Sequence, residues 1–353
     1  MKIVVVSVNC KPTHVAHIKA FYKLFDTLGH NVVLYLNPEY QKWMDLSTYN
    51  WISSKEELNE YSPDLCLIYN IGIENLIIQT ISKRCGSKLV YTLHEPFPGW
   101  RAMIKEGASM PRAIAAYFLN ALITIRSDLV MLPSLKAEEN YKRYSKVLND
   151  NSVYFPLIFT DEYNGNIKYS REFFSFIGTF SDPHGREEFL NFVRYAAEED
   201  DQIKFLISTS TDISRWLDDS VLKHLASEGR LEIHHGRFMS TNEINASYRR
   251  SICTWAVYNR TTQSGVVLNA LMQGSPVVAR KIGNMETDIK DGIDGRLVGR
   301  DYSNGEILDA FRDIQQDSEG YSKRARLSFK QNNWFGSQIE AMRKILGSIS
   351  LPS

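Results

Sequence analysis

The chain opens on an unbroken apolar run, "KIVVVSV", in which Ile3, Val4, Val5 and Val6 follow one another with no polar position between them. A strand open to water on one face alternates apolar with polar residues, so this run predicts a strand covered on both faces in a parallel sheet. The period then changes. In "THVAHIKAFYKLFDTLGH" the residues Val15, Ile18, Phe21, Leu24, Phe25 and Leu28 recur at helical spacing, and Gly29 stands where a helix stops. "NVVLYL" returns as a second strand. The alternation continues through "DLCLIYNI", a helix over 77–84, "KLVYTLHE", a helical region from 101 to about 125, and "SDLVMLPS". The turn-rich "NDNSVYFPLIFTDEYNGN" closes this half. A second series starts at "EFFSFIGTF" and runs through "QIKFLIST", "RLEIHHGRF", "ICTWAVYN" and "SPVVARKI", with helical segments between. Such alternation predicts an α/β protein of two doubly wound, Rossmann-like domains, 1–165 and 166–327. An amphipathic helix within 328–353 is expected to pack back on the first domain. Two sheets in tandem imply a central cleft, and ligands of open α/β sheets sit beyond the carboxyl ends of the strands. Chemistry is therefore expected in the loops that begin at Asn9, Asn70, His94, Gly178, His235 and Asn259.

A length of 353 residues suits two cores rather than one. Lys plus Arg equals Asp plus Glu at 41 each, which removes any overall pull toward nucleic acid or anionic membrane, so an anion site has to be local. The four cysteines are scattered without a Cys-x-x-Cys pair, each in or beside an apolar stretch, which favours a reducing cytoplasm and speaks against a zinc site. "MKIVVVSVNC" has no small-residue cleavage site and is not read as a signal peptide. "AIAAYFLNALITI" falls short of the ~20 residues that span a bilayer. A cytoplasmic protein, at most peripheral at the inner face of a membrane, is expected.

One stretch carries a chemical signal of its own. "RTTQSGVVLNALMQGSPVVARKIG", 260–283, reads as a polar loop, a short apolar helix, a Gly-Ser-Pro stop and a buried strand. The first amides of a helix lack internal partners and carry the positive end of its dipole. Thr261, Thr262, Gln263, Ser264 and Gly265 form a loop small enough to leave those amides to an anion, phosphate being the natural one. The alternative is that Thr262 or Ser264 only caps the helix.

Taken in order, these stretches resemble the GT-B nucleotide-sugar glycosyltransferases, above all the family 4 group that builds bacterial surface polysaccharides. "FDTLGHNVVLYL" is similar to that family's first helix end and second strand, "KLVYTLHEPFP" to its strand ending in Thr-x-His, and "SDLVMLPSLKAEENYKR" to its following helix entry. "FIGTFSDPHGREEFL" resembles the strand and glycine turn that meets the diphosphate, and "ALMQGSPVVARKIGNMETDIKDGIDGRLV" the donor-site segment. The likeness spans nearly the whole chain and implies a UDP- or GDP-sugar as donor and a hydroxyl of a glycan or lipid-linked glycan as acceptor. Three departures stand out. Where the family usually carries two glutamates eight positions apart, this chain has Thr261 and Asn269; the Arg and Lys of the diphosphate turn fall on Thr179 and His184; and "NCKPTH" replaces the glycine-rich loop after the first strand.

The resemblance places the diphosphate near Gly178, Thr179, His184 and Arg186 and on Gln263, Ser264 and Gly265, with Arg237 as a further cation. Asn269 can both donate to and accept from ribose hydroxyls. Thr261 and Thr262 fall beside the donor sugar, and backbone near Arg237 and Phe238 where the base is held. His94 resembles the family histidine near the transferred sugar, and Glu95 is its rival as general base. His14 and His17 sit one turn apart, His17 read as facing the helix surface. His234 and His235 are adjacent on a strand and point to opposite faces, a poor metal pair. No Asp-x-Asp follows a hydrophobic strand, so no metal cofactor is expected, and the helix with basic side chains is to stabilise the leaving group. A nucleotide-sugar epimerase on the same fold and a non-catalytic glycan-binding or partner subunit are the competing readings. The segment "GWRAMIKEGASMPRAIAAYFLNALITIR" is expected on the acceptor side. Trp100, Met103 and Ile104 mixed with Arg101, Lys105 and Arg112 suit a lipid headgroup boundary at about 100–112, whereas 113–125 is apolar enough to be core.

Overall fold

The computed structural model describes residues 1–94, 110–165, 167, 169–200, 202–261 and 263–349. They form two compact units, 1–160 with 332–353, and 161–331. The first unit holds a seven-stranded parallel sheet of β1 (Lys2–Ser7), β2 (Asn31–Leu36), β3 (Trp51–Ile52), β4 (Leu65–Ile68), β5 (Lys88–Thr92), β6 (Leu129–Leu132) and β7 (Ser152–Tyr154), in the order β3-β2-β1-β4-β5-β6-β7. The opening run is covered on both faces. Ile3 and Val5 join one core with Phe21, Phe25 and Phe155, while Val4 and Val6 join the other with Leu58, Ile78 and Ile123. The helix Val15–Thr27 covers the first face, and so does Ile339–Ser348, whose Met342, Ile345 and Leu346 enter the same core. The returning chain is held by backbone bonds from Phe159 N to Asn333 O (2.9 Å) and from Phe335 N to Phe159 O (3.0 Å).

The second unit has six parallel strands, β8 (Phe173–Ile177), β9 (Lys204–Ser208), β10 (Leu231–His234), β11 (Ser251–Ala256), β12 (Val277–Arg280) and β13 (Gly295–Val298), in the order β10-β9-β8-β11-β12-β13. Its core is aromatic: Phe174 stacks on Phe311, and Trp255 packs among Phe174, Phe189 and Phe192. The units divide at 160/161 and 331/332, where the sequence pattern drew 165/166 and 327/328. Two physical reasons move the boundary. Asp161 is clamped by Arg326 (2.8 Å) and Lys330 (2.6 Å), and the unbroken helix Ser318–Asn332 carries 328–331 with the second unit.

Candidate functional site

In each sheet the winding reverses beside the first strand, between β1 and β4 and between β8 and β11. Loops leaving the carboxyl ends of such a pair turn to opposite faces and open a crevice. In the second unit that crevice is framed by two loops bonded to one another. Gly178 ends β8 with φ +115°, and a β-carbon there would stand 3.0 Å from the Val266 side chain. The chain then makes the turn Asp182–His184, and Gly185, at φ +72°, starts the helix Arg186–Glu199. The amides of Asn259 and Arg260 both donate to Pro183 O (2.9 and 3.2 Å), and Trp255 Nε1 donates to His184 O (3.2 Å). Asn259 Nδ2 adds bonds to Asp182 O and Glu188 Oε1. The β8 turn and the β11 loop thus form one rigid cradle at the start of the helix Gly265–Met272.

The cap of that helix is explicit: Ser264 is buried, and its Oγ accepts from Val267 N at 3.3 Å. Beside it, nothing lies within 4 Å of a β-carbon built on Gly265. Thr261 Oγ1 donates to Gln263 O, and Asn269 Nδ2 bonds back to Gly265 O (2.8 Å) within its own helix. Thr179 is exposed. His184 shares a 2.8 Å hydrogen bond between its Nδ1 and Ser181 Oγ, and its edge meets the Tyr258 ring; burial lowers its pKa. Gly178, Thr179, His184, Gln263, Ser264 and Gly265 therefore lie on one bonded frame. The remaining expected cations are engaged elsewhere. Arg186 pairs with Glu187 and lies over the Trp216 ring (4.7 Å), and exposed Arg237 pairs with Glu243, which closes the capping box of the helix Thr241–Arg250. Phe238 is 63% exposed. Glu95 and Thr262 lie outside the described residues, as do Trp100, Arg101, Met103, Ile104 and Lys105; Arg112 is exposed. Thr211 escaped the sequence reading. Its Oγ1 accepts from Phe180 N and its carbonyl from Gly236 N, tying the loops after β8, β9 and β10 together.

The first unit builds a second polar centre at the β1/β4 crevice. Asn70 Nδ2 lies within bonding distance of Ser7 Oγ (2.7 Å), Asn9 O (2.8 Å) and His14 Nδ1 (3.2 Å), and the Tyr40 hydroxyl meets Ser7 Oγ at 2.7 Å. His94 Nε2 is 3.0 Å from Tyr69 O. A carbonyl only accepts, so that nitrogen carries the proton in the neutral ring. Burial pushes both imidazoles down to about 3. His17 corrects an expectation. It is buried rather than on the helix surface, its Nδ1 3.0 Å from Ile158 O and its ring against Phe159. The buried Oδ1 atoms of Asn70 and Asn75 have no hydrogen-bond partner among the described residues. Ser7 was missed as a site residue, and Asn70 was named only as the start of a loop; the signal for Ser7 was a polar residue ending an otherwise apolar strand.

Among the described residues no cluster of His, Cys, Asp and Glu is placed to hold a metal, and no helix is long and apolar enough to cross a membrane. No protein-family model matches the chain, and no curated protein matches it in sequence. The three-dimensional comparison is decisive for the fold. A glycosyltransferase from Rickettsia africae superposes with a TM-score of 0.73 over 99% of this chain and 98% of that one at 13% identity. The Anabaena HepE protein, solved in complex with UDP, gives 0.73 over 99% and 100% at 14% identity. The sucrose-phosphate synthase of Thermosynechococcus elongatus gives 0.69 over 99% and 98% at 13% identity. The chain has the GT-B fold. In GT-B terms, the sheet of 161–331 is the carboxyl-terminal Rossmann-like unit, and the Ser264 helix starts at its switch point.

Proposed function

We propose that the protein transfers a sugar from a nucleotide diphosphate donor, a UDP- or GDP-sugar, to a hydroxyl of a glycan or lipid-linked glycan. The observation that carries this reading is the cradle in which Gly178, Gly185 and Gly265 bring three side-chain-free backbone positions to one helix start. A β-carbon at Gly185 would run into the Val257 carbonyl and one at Gly178 would press on the Val266 side chain, so glycine lets the two loops pack closely, while Gly265 leaves the helix start open to an oxyanion. Support comes also from HepE of the same fold, whose structures hold UDP and UDP-glucose. Helix amides and the His184 ring stabilise the departing diphosphate; His184 gains its proton only as the anion arrives, because burial lowers its pKa. Asn269 keeps Oδ1 for a ribose hydroxyl while Nδ2 is held by Gly265 O. His94, its Nε2 held by Tyr69 O and its pKa near 3, acts as a positioning group rather than a strong base. We hold metal independence and a peripheral membrane location as parts of the same proposal.

The test is calorimetric titration with UDP and GDP, followed by donor consumption across UDP- and GDP-sugars with and without EDTA. One nucleotide is expected to bind, and hydrolysis of its sugar to survive EDTA. Failure of both nucleotides to bind sinks the reading; binding without donor turnover supports the partner-subunit alternative.

A further inference from the structure

Asn259 is exposed, where water can satisfy an amide, and yet both ends of its side chain are held by protein. Nδ2 has two protons and uses both, on Asp182 O (3.0 Å) and on Glu188 Oε1 (2.8 Å), while Oδ1 accepts from Arg280 Nη1 (3.1 Å). These neighbours permit one orientation. Turned over, the amide would set its NH2 against a guanidinium, which only donates, and its oxygen against a carbonyl and a carboxylate, which only accept. The two flanking groups are fixed in their turn. Arg280 Nε and Nη2 both donate to Arg300 O, and the guanidinium lies 5.3 Å from the centre of the Tyr302 ring. Glu188 is the third residue of the helix Arg186–Glu199, where a negative charge meets the positive end of the dipole. Its Oε2 is buried with no hydrogen-bond partner among the described residues, so it is through Oε1 and the Asn259 amide that this carboxylate is held.

These residues end or follow β8, β11, β12 and β13, so one line of directed bonds joins the carboxyl ends of four strands. The β11 loop is gripped at a second point. A β-carbon on Gly283 (φ +57°) would run into Thr261 O, which sets the turn after β12 directly on Thr261. Beyond these two grips the chain reaches Ser264 and the start of the helix Gly265–Met272. We propose that Glu188, Asn259 and Arg280 are positioning residues: the carboxylate and the guanidinium orient the Asn259 amide, and Asn259 sets the β11 loop so that the helix start stays open to the diphosphate. The proposal rests on the donor reading given above.

The experiment compares wild type, Asn259→Asp, Glu188→Gln and the double variant. UDP and GDP affinity is read by calorimetry, and hydrogen exchange reports the backbone amides of positions 259 and 260, which bond to Pro183 O. Asn259→Asp faces one carboxylate with another and removes the donor to Asp182 O, so affinity for the nucleotide that wild type binds should fall roughly fivefold or more, with faster exchange of both amides. Glu188→Gln keeps an oxygen for Asn259 Nδ2 and should lose less. In the double variant the amide introduced at 188 can donate to the carboxylate introduced at 259, and most of the lost affinity and protection should return. A purely structural contact would lower the thermal midpoint and leave nucleotide affinity alone. Wild-type affinity and exchange in Asn259→Asp, or a double variant no better than that single one, overturns the proposal. Should wild type bind neither nucleotide, the donor reading falls by itself; exchange that quickens in Asn259→Asp and slows again in the double variant still supports the orientation of the loop, and unaltered exchange overturns that too.

Discussion

The imidazole rings of His14 and His94 lie parallel, their centres 6.2 Å apart and their planes at 6°. Charging both would set two cations face to face, and burial already holds each pKa near 3. Both rings are therefore neutral through the physiological range. Imidazole NMR of the free protein should show neither ring titrating between pH 5 and 8. A midpoint near 6.5 for either would show that water reaches the pair and would reopen His94 as a general base.

His17 supplies a prediction about stability. Burial lowers its pKa to about 4, against a hydrogen bond to Ile158 O that works the other way. The folded state holds the neutral ring, so its contribution is complete above the unfolded value near 6.5 and is lost as pH falls toward 4. The loss is on the order of 3 kcal/mol in all. His17→Gln keeps a donor for Ile158 O and removes the titration. Its unfolding free energy should fall less steeply than that of wild type between pH 6.5 and 5, where carboxylates contribute little. Parallel curves would place the His17 ring in contact with water.

What the sequence disclosed divides along physical lines. The β1 run and the first helix were legible because their periods are long enough to read. β3 and β7, with two and three residues, were not, since so few positions carry no period, and in β13 Arg296 interrupts the apolar run of Gly295–Val298. Gly178, Ser264 and Gly265 announced themselves through turn and cap chemistry, which is local. The bond between Ser7 and Asn70 did not, because the β1/β4 pairing joins them across 63 positions. His17 lies four residues before Phe21 and seven before Leu24, on the buried stripe, and Ile158 O gives its polar atom a partner there. For Met110–Arg126 the apolar count was visible, but a count does not say which face meets the sheet.

Arg237 separates a binding cation from a structural one. Its guanidinium holds Glu243, which in turn accepts from Ser240 N (2.8 Å) to cap the helix Thr241–Arg250. A diphosphate or base would have to compete with that carboxylate. Arg237→Ala should leave UDP and GDP affinity within roughly twofold, since exposed pairs contribute little. A roughly tenfold loss of affinity in calorimetry would show that Arg237 leaves Glu243 for the ligand.

Gly265 offers the cleanest test of the anion cradle, because a β-carbon there meets nothing within 4 Å and its φ is not positive. Gly265→Asp brings a carboxylate to the helix start, where it is favourable for the helix and unfavourable for a bound phosphate. Nucleotide affinity should fall by roughly tenfold or more, with the thermal midpoint unchanged or raised. Gly265→Ala should bind as wild type does. If Gly265→Asp binds as tightly as wild type, the diphosphate lies elsewhere.

Gly185 and Gly229 share φ +72°, yet only one of them is enclosed. At Gly229 a β-carbon meets nothing within 4 Å; at Gly185 it would run into the Val257 carbonyl and come within 3.2 Å of Trp255 Nε1. An alanine at either position bears the left-handed backbone strain, about 1 kcal/mol or somewhat more. At Gly185 the turn must also move away from β11, which stretches the Trp255 Nε1 bond to His184 O and the amide bonds to Pro183 O. Gly229→Ala is thus a measure of strain alone, and the excess loss in Gly185→Ala reports the contact. The expected pattern is a small stability loss with unchanged nucleotide affinity for Gly229→Ala, and a larger loss with weakened affinity for Gly185→Ala. Equal losses of stability and equal affinities, measured by denaturant unfolding and calorimetry, would mean that the β8 turn does not shape the ligand site.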